Sequence, residues 1–357
     1  MWVEYRGRDG AAVRPLCGSA TLSGVTSPRS LIRALIAVLL IGAIGYFGYM
    51  GWAGSDQLVH PPNPNHDCRT PAVLGWDYEA INYDQATDAD LLASQPDPRE
   101  CSHQGAEPGD EVVSDDGIRI AGWWIPAASS VPRDGPTVVL VHGYGDDKSG
   151  MLEDAIFLHD RWNLVLFDLR NSGQSLGEET TQGLNEQRDL EAMLDWVDAN
   201  LHPTALAVFG QSMGGQTSVN VVAQDPRVDA LILESTHDRL ASAMVARIHN
   251  AGYPFGEVGY LSIVLGTWLR TGVNVLSADP IEAIVAMGSR PVLLIHGGSD
   301  VDAPTAGATR MFDAAEAAGV DVNLHLCPGA GHGQTNDVCP DEYGTWMNDF
   351  LERALGG

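Results

Sequence analysis

The clearest chemistry in the chain lies in Gly210-Gln211-Ser212-Met213-Gly214. Thr204 to Phe209 before it is a short apolar run that predicts a buried strand, and Gly215 to Gln224 after it predicts a helix stopped by Asp225-Pro226. A Gly-x-Ser-x-Gly turn between strand and helix is a nucleophile elbow. Its small neighbours let helix and strand approach, and its strained backbone lifts the serine hydroxyl clear of the sheet. In that geometry the Met213 amide faces a developing oxyanion. The five letters alone are a weak signal; the flanking strand and helix give them their meaning.

Acyl transfer at a serine needs a base, an acid to orient it and a second oxyanion donor. Pro136 to Val141 predicts a strand running into His142-Gly143-Tyr144-Gly145, where the Tyr144 amide is the natural partner for that of Met213. Pro291 to Ile295 predicts a strand ending in His296-Gly297-Gly298-Ser299-Asp300, which puts Asp300 at the carboxyl end of a strand, where open α/β sheets build their sites. Val322 to Leu326 predicts a last strand, followed by Gly329-Ala330-Gly331-His332-Gly333, a flexible loop that suits a base reaching across to Ser212. Asp302 and Glu234 compete with Asp300 for the acid role. His142 and His296 read as supports for the oxyanion turn and the acid loop, and His325 as a strand residue without a chemical role.

These motifs, in the order Ser, Asp, His, give the chain a resemblance to the α/β-hydrolase superfamily from about Asp110 to Leu355. It is similar to the membrane-associated, serine-dependent branch of esterase-like and peptidase-like members. Asp168-Leu169-Arg170-Asn171-Ser172-Gly173-Gln174-Ser175 also looks like the family's turn after its fourth strand. The resemblance implies an α/β fold with a mostly parallel central sheet flanked by helices and a small helical cap. It also implies a mechanism. Ser212 attacks a carbonyl carbon, His332 relays the proton, Asp300 fixes the imidazole, and the amides of Tyr144 and Met213 hold the oxyanion. A serine at the elbow argues against the haloalkane and epoxide branches, which need an aspartate there. No metal or cofactor is expected, because neither His-Glu-x-x-His nor a paired Cys-x-x-Cys occurs.

Ala34 to Ser55 is uncharged over 22 residues, in a chain that is 19% charged. About 20 residues of helix cross a bilayer core. Arg6, Arg8, Arg14, Arg29 and Arg33 precede the run against Glu4 and Asp9, and Asp56 follows it, so the tail is expected in the cytoplasm and the rest outside. Tyr46, Phe47, Tyr49 and Trp52 resemble an interfacial belt. The competing reading is a secretory leader cleaved near Ala53-Gly54, although a leader's apolar stretch is usually shorter. Gly42, Gly45, Gly48, Gly51 and Gly54 recur every third residue, which drifts around a helix instead of lining one face.

The expected organisation is a cytoplasmic tail (1–33), a transmembrane helix (34–55), an extracytoplasmic stem (56–109) and a hydrolase domain (110–357) with a cap at about 237–281. In the stem, Trp76, Tyr78, Ile81 and Tyr83 are placed to dock on the core. Glu111 to Ser114 and Ile118 to Trp124 predict a hairpin, and Leu184 to Asn200 an amphipathic helix. Within the cap, Tyr253, Phe255, Tyr260, Leu261, Val264, Leu265 and Trp268 either line an acyl pocket or glue the cap to the core. Four of the five cysteines lie on the exported side, and proximity suggests Cys68–Cys101 and Cys327–Cys339. The net charge of −27 disfavours nucleic acid and acidic substrates. The expected activity is hydrolysis of small-molecule or lipid-derived acyl esters at a membrane. An aminopeptidase or amidase with the same triad, and a silent adhesion domain, are the alternatives.

Overall fold

The computed structural model describes residues 28–61, 69–82 and 112–356. Two compact units are present, Met1–Tyr46 and Phe47–Gly357. The described part of the first is helix only, the start of α1 (Pro28–Val59), whose side chains are exposed as far as Ile44 and half-buried at Tyr46. Its middle, from Ala34 on, carries no charge until Asp56, and the helix is long and apolar enough to cross a membrane.

The second unit is built on one eight-stranded sheet. Its strands are β1 (Glu79–Ile81), β2 (Gly122–Ile125), β3 (Thr137–Val141), β4 (Asn163–Phe167), β5 (Leu206–Gln211), β6 (Ala230–Glu234), β7 (Val292–Gly297) and β8 (Val322–Cys327). The order across the sheet is β1-β2-β4-β3-β5-β6-β7-β8, antiparallel at β1–β2 and β2–β4 and parallel from β4 onward. The parallel strands β3, β4, β6 and β7 are buried at every position, so they read as continuous apolar runs and not as alternation. Successive side chains divide between the faces. Val139 and Val141 join the core beneath the helices α2 (Glu186–Asn200) and α3 (Met213–Val222), and Val138 and Leu140 join the other. The order reverses between β3 and β5, the switch point at which open α/β sheets bind ligands at their carboxyl ends.

The hairpin expected at 111–124 is confined to one antiparallel bridge, Val113 to Arg119, with the Ser114 N–H donating to Ile118 O at 2.8 Å and the Ile120 N–H to Val112 O at 3.1 Å. Beyond it, β2 pairs with β1, from the segment read as stem. All of β2 is buried, so the backbone groups on its edge away from β4 need hydrogen-bond partners, and β1 supplies them. Trp76 and Tyr78 pack against the core and Ile81 is fully buried, while Tyr83 lies outside the described residues.

Two polar clusters tie the loops at the carboxyl edge. Lys148, the one lysine in the chain, is buried with its Nζ 2.5 Å from Asp168 and 2.6 Å from Gln174 Oε1. Arg170 Nη2 donates to Asp189 at 2.7 Å and Nη1 to Asp116 at 2.7 Å, with Asp189 fully buried on α2. Replacing Arg170 by Met strands the Asp189 carboxylate, and we expect a loss of about 3–5 kcal/mol in urea unfolding.

Cys327 and Cys339 form a disulfide with Cα atoms 6.1 Å apart; Cys68 and Cys101 lie outside the described residues. The bond closes a 12-residue separation around His332, between the end of β8 and α8 (Pro340–Leu355). Opening it, by reduction or as Cys327→Ala/Cys339→Ser, is expected to lower the denaturant midpoint by the equivalent of about 2–3 kcal/mol.

Candidate active site

Ser212 follows β5 and precedes the first residue of α3, at φ 53° and ψ −115°. A non-glycine residue held there is strained, and the packing around it shows what holds it. A Cβ at Gly214 would meet Val141 O at 2.2 Å, one at Gly210 would meet Gly214 O at 2.6 Å, and one at Gly215 would meet Thr236 Oγ1 at 1.9 Å. The helix start therefore rests on the backbone at the end of β3 and on the Thr236 side chain just beyond β6. Met213, as the first residue of α3, has its N–H outside the helical ladder.

The loop after β3 lies against the elbow, since a Cβ on Gly143 would stand 3.3 Å from Ser212 Cβ. His142 holds that turn. Its Nε2 accepts from the Leu169 N–H at 2.9 Å, which leaves Nδ1–H to donate to Gly143 O at 2.8 Å. Both nitrogens of this fully buried ring are thereby occupied, so His142 is a structural support. The turn carries Tyr144, as the oxyanion assignment requires.

His332 spans the remaining gap. Its Nε2 is 2.8 Å from Ser212 Oγ and its Nδ1 is 2.8 Å from Asp300 Oδ2. The loop read as flexible is in fact pinned. Gly333 N–H donates to Ser235 Oγ at 3.0 Å, Ser299 N–H donates to Ala330 O at 2.8 Å, and a Cβ on Gly297 would meet Gly331 O at 2.3 Å. Asp300 Oδ1 accepts from the Asp302 and Ala303 N–H groups at 2.9 and 2.8 Å. Burial alone would raise this carboxyl, but hydrogen bonds from His296 and His332 and from the backbone outweigh it and hold it well below the usual carboxylate range. His296 Nε2 donates to Ala303 O at 2.7 Å and sits 3.3 Å from Asp300 Oδ2, bracing the acid loop.

The competing acids are elsewhere. Asp302 is half-exposed, 3.5 Å from Arg247. Glu234 is fully buried beneath the elbow, where Tyr343 Oη lies 2.9 Å from Glu234 Oε2 and 2.9 Å from Asp154 Oδ1. Burial pushes both carboxyls upward, and the Glu234 charge adds to the rise at Asp154.

A cavity of about 360 Å³ opens onto Ser212, Met213, Tyr144 and His332, a size within the usual range for small-molecule sites. Two helices of the expected cap cover it, α4 (Leu240–Asn250) and α5 (Gly256–Thr271). Of the seven cap residues expected either to line it or to glue the cap to the core, Tyr253 lines it. Tyr260 is buried and Val264 half-buried, whereas Phe255, Leu261, Leu265 and Trp268 point outward. The apolar lining comes instead from Leu240, Ala243, Met244, Ile248 and Ile263, together with the end of α1. Sequence reasoning also missed His237, which lines the cavity fully buried; burial pushes it down to about 4, so it is neutral at working pH.

Residues 136–256 match the profile of the alpha/beta hydrolase fold family. The chain is 32% identical over 224 residues to an uncharacterized protein of Mycobacterium tuberculosis, covering 62% of this chain and 70% of that one. It is 29% identical over 254 residues to the uncharacterized protein YfhR of Escherichia coli, covering 69% and 80%. Among solved structures, the Pyrococcus furiosus esterase Pf2001 is similar in fold, with a TM-score of 0.64 at 22% identity over 84% of this chain and 99% of that one. A Pyrococcus horikoshii acylaminoacyl peptidase gives a TM-score of 0.54 at 18% identity over 68% and 41%. With its sheet order, its elbow and its relatives in agreement, this chain belongs to the alpha/beta hydrolase superfamily.

Proposed function

We propose that the protein is a membrane-anchored serine hydrolase of carboxylic esters with an apolar acyl part. The observation that carries this reading is the unbroken hydrogen-bond chain from Asp300 through His332 to Ser212, opening on an apolar cavity. Ser212 Oγ attacks the ester carbonyl carbon as its proton passes to His332 Nε2. The N–H groups of Tyr144 and Met213 hold the oxyanion, and the imidazolium, stabilised by Asp300, returns the proton to the leaving alkoxide. Water then repeats the sequence on the acyl-enzyme and frees the acid. The ionised Asp300 suits this role, because it keeps the Nδ1–H tautomer and leaves Nε2 free to accept.

The ester reading is preferred to a peptidase one. An aminopeptidase needs an anchor for a charged terminus, and the charged pair on the cavity wall, Arg247 and Asp302, already faces itself. An adhesion domain would have no use for the strained serine. For the anchor, the uncharged helix preceded by arginines supports insertion with the catalytic unit outside the cytoplasm.

A fluorophosphonate probe is expected to label Ser212 in the folded protein, and Ser212→Ala to abolish both labelling and p-nitrophenyl ester turnover, with kcat falling by about 10⁴-fold or more. Asp300→Asn should lower kcat by about 10⁴-fold, whereas Asp302→Asn stays within a few-fold; equal losses would reassign the acid. Because burial keeps His237 neutral down to about 4, His237→Asn should leave the pH dependence of kcat/KM above that pH unchanged.

A further inference from the structure

The last turns of α1 do more than lead into the folded unit. Tyr49, Met50, Ala53, Gly54, Gln57 and Leu58 all line the cavity above Ser212. This stretch is fastened to the catalytic unit at close range. A Cβ on Gly266 of α5 would meet Gly51 O at 2.3 Å, and one on Gly51 would meet Ser262 O at 2.8 Å, so α1 and α5 touch through backbone. Arg270 Nε donates to Ser55 Oγ at 2.9 Å, its Nη1 pairs with Asp56 at 3.1 Å, and its guanidinium stacks 4.0 Å over the Trp52 ring. Tyr144, from the oxyanion turn, donates its hydroxyl to Gln57 O, and the Thr180 N–H donates to Val59 O at 2.8 Å.

Beside this junction α5 turns an apolar stripe outward. Leu261, Leu265 and Trp268, at spacings of four and three, are 58, 55 and 51% exposed, with Leu269 and Trp52 more exposed still. Large apolar side chains arrayed on one helix mark an interaction surface. This one flanks the continuation of a 22-residue uncharged run, and its Trp52–Arg270 pair has the composition of a membrane-interface anchor. The occupant that fits is a lipid leaflet.

We propose that the cavity is a membrane-fed acyl site: the substrate is a long-chain acyl ester resident in the bilayer, its chain lies along Met50 and Ala53 of α1, and the α5 stripe seats in the same leaflet. The inference deepens the serine-hydrolase reading and rests on it. The chain leaves one apolar medium for another, with its carbonyl delivered to Ser212 and its alcohol part toward water. Cleavage near Ala53 would remove part of this wall, so a secreted, leader-free form would lack the site.

The test uses the full-length protein, first titrated with fluorophosphonate in detergent and in phosphatidylcholine vesicles. Ala53→Phe fills the wall and is expected to lower the ratio of kcat/KM for p-nitrophenyl dodecanoate over butyrate by at least about tenfold, whereas Met50→Ala raises that ratio. Leu261→Asp/Leu265→Asp is expected to slow hydrolysis of dodecanoate presented in vesicles at least about tenfold relative to butyrate in solution. An unchanged ratio in both wall variants overturns the assignment of α1. An unchanged vesicle rate in the stripe variant means that substrate arrives through water, and overturns the membrane feed. If the unsubstituted protein is labelled at Ser212 while these ratios stay put, this inference alone fails; if it is not labelled, the hydrolase reading fails first.

Discussion

Ser212 occupies a backbone conformation that costs on the order of 1–3 kcal/mol, and the rest of the site depends on its being held there. The restraint is steric. Gly210, Gly214 and Gly215 remove every Cβ that would keep α3 off the strand ends, and β3 and β6 then grip the turn from both sides. The strain aims one hydroxyl at the imidazole and leaves one helix-terminal amide facing the space where an oxyanion would form. A parallel sheet buried on both faces is rigid enough to carry it, because packed interiors do not deform continuously.

Electrostatics around the elbow divide by depth. At the rim, Asp300 stays ionised because two histidines and two backbone amides point at it. Glu234 and Asp154, more deeply buried, meet across one tyrosine hydroxyl with no cation among their described hydrogen-bond partners, and burial pushes both upward. Carboxyls of similar intrinsic acidity thus shift in opposite directions according to the donors within reach. Composition cannot distinguish them, since each stands at or just beyond a buried strand or helix.

An apolar helix near the amino terminus need not touch the folded unit that follows it. Here the helix ends inside the folded unit, with Gly51 and Gly54 making room for α5, while Gly42, Gly45 and Gly48 have no heavy atom within 4 Å of the Cβ position among the described residues. Among the described residues, the close contacts of the glycine repeat fall at its last two members. A helical wheel gives no reason for that, because the partner helix is some 200 residues away in sequence and its approach is decided by the fold.

Much of the site was legible in the chain because its parts are local. The elbow, the His142 turn, the Asp300 loop and the His332 loop each follow an apolar strand, and strand ends at one edge of a parallel sheet must converge. Apolar runs and glycine spacing likewise settled the fold class and the apolar helix near the amino terminus. What lay beyond reach of the sequence was every contact set by packing between distant segments. The edge partner of β2 came from 79–81 and not from a local hairpin, because the buried backbone on that edge needed hydrogen-bond partners. The lining of the cavity came from α4 and α1, not from the aromatic residues of α5. Periodicity tells that a helix has an apolar stripe, but not whether that stripe turns toward the core or away from it; here Leu261, Leu265 and Trp268 turned outward while Ile263 turned in, and only the tertiary structure decided which.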